Sequence, residues 1–145
     1  MEKLASAVNS IKFPEKVLMG VTFVALLVRF IFHYQPTSFL EAFTLLLALV
    51  YCPFGFYFLG KPSPNYSYRT SVILGIVYAI SALTILINAA NIDSYQYTTL
   101  FGLLLLIALV IYLLVKLRSA QYPEVYVNAQ FVRAGFLILC CLIVL

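Results

Sequence analysis

The sequence predicts an all-α membrane protein with four transmembrane helices in two antiparallel hairpins and a short fifth hydrophobic helix. Of its 145 residues, 64% are hydrophobic and 10% are charged, and the mean hydropathy is +1.05. An average soluble domain is about 45–50% apolar and about 25% charged, so there is too little polar surface here to cover a water-soluble globule. The apolar residues are gathered in runs of about 20, the length that crosses a bilayer. We therefore expect one polytopic membrane domain over residues 1–145.

Residues 1–16 precede the first apolar run and are expected to form a cytoplasmic interfacial segment. Leu4, Val8 and Ile11 follow the i, i+4, i+7 spacing of one helix face, which favours a short helix lying on the inner membrane surface. Pro14 stands near the predicted start of the next helix, the position that proline tolerates best. The run that follows is longer than a signal-peptide core and lacks a clear cleavage site, so we do not expect an ordinary signal peptide.

Four apolar runs are long enough to span a membrane. They are residues 17–34, 39–59, 70–90 and 97–115. The connection after the first run is short and contains Pro36, which stops a helix, so the first two spans are predicted to form a tight hairpin. The connection after the third run, NIDSYQ, is also short and predicts a second hairpin. Between the hairpins, GKPSPNYSYR is typical of a loop because it is rich in proline and serine.

The last apolar run, residues 131–145, is shorter than the others. As a helix it reaches about 22 Å, too little for the hydrocarbon core. It could span if the helix began near residue 128 and Arg133 snorkelled back to the interface. We predict a fifth hydrophobic helix over residues 128–145. The alternatives to a fifth span are a helix that is only half inserted into the membrane, or a chain that is part of a longer protein.

The basic residues predict the orientation of the spans. Eight of the nine lysines and arginines lie on one side: Lys3, Lys12, Lys16, Lys61, Arg69, Lys116, Arg118 and Arg133. The two short turns have none, and short cytoplasmic loops carry the excess of positive charge. The N-terminus is therefore predicted to be cytoplasmic and both short turns external. Because the basic residues are dispersed between apolar runs, we expect no nucleic-acid partner.

Signatures of soluble enzymes are absent from the sequence. It has no phosphate-binding glycine loop, no Cys-x-x-Cys, no His-Glu-x-x-His and no nucleophile elbow. One histidine and three cysteines do not make an ordinary zinc or haem site within a chain. Cys52, Cys140 and Cys141 lie in apolar runs and are predicted to be small apolar fillers. We therefore expect no enzymatic activity, no catalytic residue, no metal and no cofactor.

Three ionisable residues converge on the outer half of the first predicted hairpin. Arg29 and His33 are four residues apart and share a helix face, and Glu41 lies at a similar level across the Pro36 turn. In one interpretation Arg29 snorkels outward and pairs with Glu41, which clamps the turn. In the other, Arg29, His33 and Glu41 form a proton or ion relay or contact a partner subunit.

Two further patterns concern helix packing. Ser71, Gly75 and Ala79 recur every four residues, which predicts a stripe of small residues that lets another helix approach closely. Whether that helix belongs to this chain or to another is left open. In the second span, Pro53 removes one backbone hydrogen bond and Gly55 weakens the next turn, so a helix kink is predicted there.

The first hairpin resembles one in a known family. VRFIFHYQP followed by FLEAFTLLLALVYCPFGFYFLGK is similar to a hairpin of small bacterial inner-membrane proteins, among them the membrane anchor subunit of the gliding-motility and type 9 secretion motor. The matching positions are Arg29, His33, Tyr34 and Pro36. The family's tryptophan is a tyrosine here, and Gln35 interrupts its His-Trp-Pro run. The resemblance implies a component of a bacterial inner-membrane complex and no motor activity.

These patterns favour a small, non-catalytic subunit or assembly factor of a larger inner-membrane complex, which acts by helix packing. Its expected partners are the lipid bilayer and either membrane protein subunits or further copies of itself. The alternative is a small oligomeric transporter or ion or proton channel that uses Arg29, His33 and Glu41. A third, weaker possibility is a membrane enzyme whose site another chain completes.

Overall fold

The chain is all-helical in the part that the structure describes. This computed structural model describes the backbone of residues 2–32, 37–59, 68–89, 95–118 and 124–145, and the side chains of residues 15–31, 38–52, 72–88, 97–115 and 127–145. Within those ranges there are five helices: α1 Glu2–Phe32, α2 Thr37–Leu59, α3 Tyr68–Ala89, α4 Tyr95–Arg118 and α5 Glu124–Val144.

Helix α1 is longer than the first apolar run. It continues without a break from Glu2 to Phe32 and passes through Pro14, so the interfacial segment expected over residues 1–16 is the first half of this helix. A proline inside a helix removes one hydrogen bond, but the turns on either side keep theirs. The predicted start of a new helix near Pro14 is therefore not seen.

Two helices are long and apolar enough to cross a membrane by length and composition. They are Tyr97–Val115 in α4 and Val127–Val144 in α5. Shorter apolar helical stretches occupy Ser38–Cys52 of α2 and Val72–Asn88 of α3 within the described residues. The last helix is thus longer than the 15-residue apolar run over residues 131–145. It begins at Glu124, and its 21 residues extend about 31 Å.

The five helices pack as a closed ring. Helix α3 packs most extensively against α2 and next against α4, while α5 fills the space between α4 and α1 and also reaches α3. Helix α1 closes the ring by packing against α2 and α5. Phe23 and Phe136 join α1 to α5, with their ring centroids 6.3 Å apart. The first and last helices are therefore neighbours, although they are far apart in the sequence.

The surface of the bundle is apolar and its interior contains many polar groups. Large hydrophobic side chains are exposed on every helix, for example Phe30 (64%), Phe39 (70%) and Val132 (68%). Among the side chains that the structure describes, the buried polar ones are Glu15, Thr22, Thr44, Ser81, Thr84, Asn88, Thr99, Gln130 and Arg133. A helix that is hydrophobic on its outer face does not suit a water-exposed bundle.

Helices α3 and α4 approach each other closely at Gly102. A Cβ atom at this position would overlap the Thr84 hydroxyl and lie 3.2 Å from Thr84 Cβ and Cγ2. The Thr84 hydroxyl donates to the Ser81 carbonyl at 2.7 Å. The Ser81 hydroxyl lies 2.8 Å from the Val77 carbonyl and 3.4 Å from the Gly102 carbonyl. The absence of a side chain at Gly102 thus sets the distance between these helices.

One asparagine ties three helices together near one end of the bundle. Asn88 Nδ2 of α3 donates to Thr99 Oγ1 of α4 at 3.3 Å and to the main-chain carbonyl of Val144 in α5 at 3.2 Å. The second of these bonds satisfies a carbonyl of the last helical turn, which has no partner within its own helix. The Asn88 amide is buried, so the two bonds also compensate for its removal from solvent.

Part of the small-residue stripe on α3 lies beside α2. Gly75 and Ala79 are both buried, and Ala79 lines a groove of about 210 Å³ together with Ala48 and Cys52 of α2. The helix next to Ala79 therefore belongs to this chain. Only the backbone is described at Ser71, Pro53 and Gly55, so the kink in α2 stays a prediction.

Candidate functional site

The interior holds an ion pair between the first and the last helix. Arg133 of α5 binds Glu15 of α1 through two parallel contacts, Nε to Oε1 at 2.5 Å and Nη2 to Oε2 at 2.8 Å. The side chains are 11% and 5% exposed, respectively. This is the bidentate geometry in which a guanidinium and a carboxylate interact most strongly. The pair joins α1 to α5 across the point where the helix ring closes.

Two tyrosines from the neighbouring helices lie next to this ion pair. Tyr51 of α2 and Tyr78 of α3 are fully buried, and their ring centroids are 5.5 Å apart at an interplanar angle of 47°. Tyr51 interacts electrostatically with both Glu15 and Arg133. Its hydroxyl makes no hydrogen bond of normal length among the side chains described.

Gln130 connects the tyrosines back to α5. The Tyr78 hydroxyl lies 3.0 Å from the main-chain carbonyl of Gln130 and 3.2 Å from its Oε1. Gln130 is itself buried and stands one helical turn before Arg133. We call Glu15, Tyr51, Tyr78, Gln130 and Arg133 the central polar cluster. It draws side chains from α1, α2, α3 and α5.

The central polar cluster can hold the helices that carry it in a fixed arrangement. No group of three histidine, cysteine or acidic residues that could hold a metal occurs in the described part of the chain. A buried ion pair whose charges are both hydrogen-bonded fixes the relative position of the two helices that carry it, because an unmatched arrangement would leave a charge uncompensated.

The location of Arg133 corrects the sequence interpretation. Arg133 was expected to snorkel to the inner interface, but the structure buries it at 9% exposure against Glu15. Snorkelling is advantageous only for a charge without a partner, and Glu15 supplies that partner inside the bundle. Arg133 is therefore not one of the interfacial basic residues, and seven remain on the predicted cytoplasmic side.

The three residues expected to form an outer cluster are only partly described. His33 lies outside the described residues. Arg29 lines a groove with residues of α5, and Glu41 is half-buried in the second turn of α2. Among the side chains that the structure describes, an ion pair forms between Arg133 and Glu15, and none joins Arg29 to Glu41. A relay through all three residues stays a prediction.

Sequence reasoning missed the central polar cluster, although two signals pointed toward it. Tyr51 and Tyr78 sit inside apolar runs, whereas most other tyrosines lie near the ends, where amphipathic rings favour the headgroup level. Gln130 and Arg133 are three residues apart at the start of the last apolar run, so they share a helix face. A polar face on an otherwise apolar helix predicts a polar partner on another helix.

The hydrogen bonds of Tyr78 give a direct test of the central polar cluster. Tyr78→Phe should lower the free energy of unfolding by about 1 kcal/mol, because the hydroxyl is lost while Gln130 stays buried. Tyr97→Phe is the matched control, since Tyr97 is 77% exposed and should change little. Both can be measured by denaturant titration in mixed detergent micelles. Equal effects of the two substitutions would contradict the bonding described here.

Comparison of the chain with protein-family models, with curated proteins and with solved structures gives no match.

Proposed function

We propose that this chain is a polytopic membrane protein that serves as a small, non-catalytic subunit or assembly factor of a larger membrane complex. The observation that carries the proposal is the distribution of polarity: among the described side chains, apolar ones are exposed on all five helices and nine polar ones are buried. In a bilayer the lipid solvates the apolar outer faces. Polar side chains then hydrogen-bond between helices, where they contribute more to association than hydrophobic contact does.

Two further observations support a packing role. Side-chain hydrogen bonds join different helices of the ring: Arg133 to Glu15, Tyr78 to Gln130, Ser81 to Gly102, and Asn88 to Thr99 and Val144. Two grooves at the surface, both beside α3, are apolar. Such a surface suits contact with lipid or with further membrane helices.

The proposal includes a location in a bacterial inner membrane with the N-terminus in the cytoplasm. The first hairpin resembles one in small bacterial inner-membrane proteins, which supports the choice of the inner membrane. The orientation rests on charge: without Arg133, seven basic residues still lie on the predicted cytoplasmic side, and neither short turn contains one.

Purification in a mild detergent, followed by identification of co-purifying proteins and native mass measurement, tests the proposal. A subunit or assembly factor should elute with the same membrane proteins, in fixed proportions, in repeated preparations. A single-component species at every detergent concentration would contradict it.

A second candidate is a small proton or ion conduit, and one observation favours it. The interior contains an ionisable pair beside the buried Tyr51 side chain, and intramembrane ionisable residues often mark ion or proton paths. This conduit would join the central polar cluster to Arg29, His33 and Glu41. In reconstituted vesicles it predicts proton flux that is lost in Glu15→Gln; the packing role predicts no flux in either protein.

Labelling of single cysteines tests the orientation. In a background with the three native cysteines replaced, Ser94→Cys lies in the turn predicted to be external, and Ser63→Cys lies in a loop predicted to be cytoplasmic. A membrane-impermeant reagent should modify the first in intact cells and the second only after the membrane is opened. The reverse pattern would show that the chain is oriented the other way.

A further inference from the structure

The groove between α1 and α5 combines an apolar lining with a cationic side chain. It has a volume of about 200 Å³ and is lined by Leu26, Arg29, Phe30, Ile143 and Val144. Leu26 is buried at 1% exposure and Phe30 is 64% exposed. The groove thus has an apolar floor and an apolar rim, with a single cationic side chain in its wall. The grooves beside α3 contain no charged residue.

The groove lies at one end of the bundle. Arg29 is three residues before the end of α1 at Phe32, and Val144 is the last residue of α5, so both lie within about one helical turn of a terminus. In the bilayer this level is close to the boundary between hydrocarbon and headgroups. The apolar lining then continues from the headgroup level toward the hydrocarbon core.

We propose that this groove binds one phospholipid, with the phosphate at Arg29 and an acyl chain along Leu26, Ile143 and Val144. A guanidinium is planar and can bind two phosphate oxygens at once. Its five N–H donors allow it to serve a phosphate alongside another partner. The inference rests on the proposed membrane location, which supplies the lipid.

A cationic side chain at the headgroup level beside an apolar lining favours a phospholipid as the occupant. A phospholipid brings an anionic group at the correct depth and an apolar chain of variable shape. A partner protein is therefore the alternative that the experiment below must exclude.

Native mass spectrometry of the full chain, purified and stripped of lipid, tests the site by titration with phosphatidylglycerol. We expect one tightly bound lipid per chain. Arg29→Gln should weaken binding at least about tenfold, since a charge-assisted contact is lost, and Arg29→Lys should weaken it less. Lys16→Gln is the matched control, because Lys16 is an exposed basic residue of the same helix at the other end of the predicted span.

A second variant keeps the charge of Arg29 and fills the volume of the groove. Val144→Trp should fill the groove and prevent lipid binding while Arg29 is intact. Each variant is compared only where it elutes as a single folded species. Excess inorganic phosphate should not displace the lipid.

Several outcomes would overturn the site. They are equal affinity of wild type and Arg29→Gln, displacement by inorganic phosphate alone, or a co-purifying protein that Arg29→Gln releases while lipid binding is unchanged. A chain that enters membranes but binds no lipid would refute this inference and leave the proposed function standing. A chain that does not enter membranes would refute both.

Discussion

Removing one member of the ion pair between Glu15 and Arg133 should have the largest effect of any single substitution in the described residues. Arg133→Met leaves the Glu15 carboxylate buried without its partner, and Glu15→Met leaves the guanidinium in the same state. Breaking a buried ion pair on one side costs about 3–5 kcal/mol. We expect a loss of that size in the free energy of unfolding, measured by denaturant titration in mixed detergent micelles.

The double variant distinguishes the loss of the ion pair from a general effect of substitution at these positions. Glu15→Met together with Arg133→Met removes both charges, and replacing a whole buried pair by apolar residues is often neutral or stabilising. Its stability should therefore return close to that of the wild type. Lys16→Met is the charge control, because Lys16 is next to Glu15 but exposed. Additive losses in the double variant would show that the two residues do not form a pair.

The second large effect is expected at Gly102. Gly102→Ala places a methyl group against the Thr84 hydroxyl and 3.2 Å from Thr84 Cβ and Cγ2. Thr84 cannot turn away without losing its bond to the Ser81 carbonyl, so α3 and α4 must separate. Overpacking of this kind costs about 1–3 kcal/mol. The same denaturant titration should record the loss, and the bond from Ser81 to the Gly102 carbonyl should be lost with it.

Two other glycines provide matched controls. Gly20 and Gly135 are helical, and a Cβ atom at either would meet no atom within 4 Å. Gly20→Ala and Gly135→Ala should therefore preserve stability or raise it by up to about 1 kcal/mol, because alanine has the higher helix propensity. Adding Thr84→Ala to Gly102→Ala should recover part of the loss. Equal free energies of unfolding for Gly102→Ala and Gly135→Ala would contradict the close approach of α3 and α4.

The helices were predictable because, in the membrane that we propose, each apolar run must form its backbone hydrogen bonds internally. Thus α2, α3 and α4 cover the second, third and fourth runs within two or three residues at each end. The start of α1 was less predictable, since Pro14 is compatible both with a helix start and with an interior position that gives up one bond. The start of α5 was missed because Glu124 and the polar residues after it lowered the apparent length of the last run.

The central polar cluster could not be predicted because its contacts join distant parts of the sequence. Arg133 and Glu15 are 118 positions apart, and Tyr78 and Gln130 are 52 apart. Helical spacing predicts which residues share a face of one helix but not which helices are neighbours. The distribution of basic residues along the sequence gives Arg133 no visible partner. A cation without a partner is expected to reach the membrane–water interface. Only the contact between α1 and α5 shows that Glu15 is its partner.

Extraction of membranes with alkaline carbonate tests whether the chain is embedded in a bilayer, because it releases peripheral and soluble proteins but leaves helices embedded in lipid. We expect the full chain to remain with the lipid pellet and to enter solution only with detergent. The apolar outer faces would otherwise meet water over all five helices. Release of a folded, monodisperse chain into the carbonate supernatant without detergent would show that the chain is not an integral membrane protein.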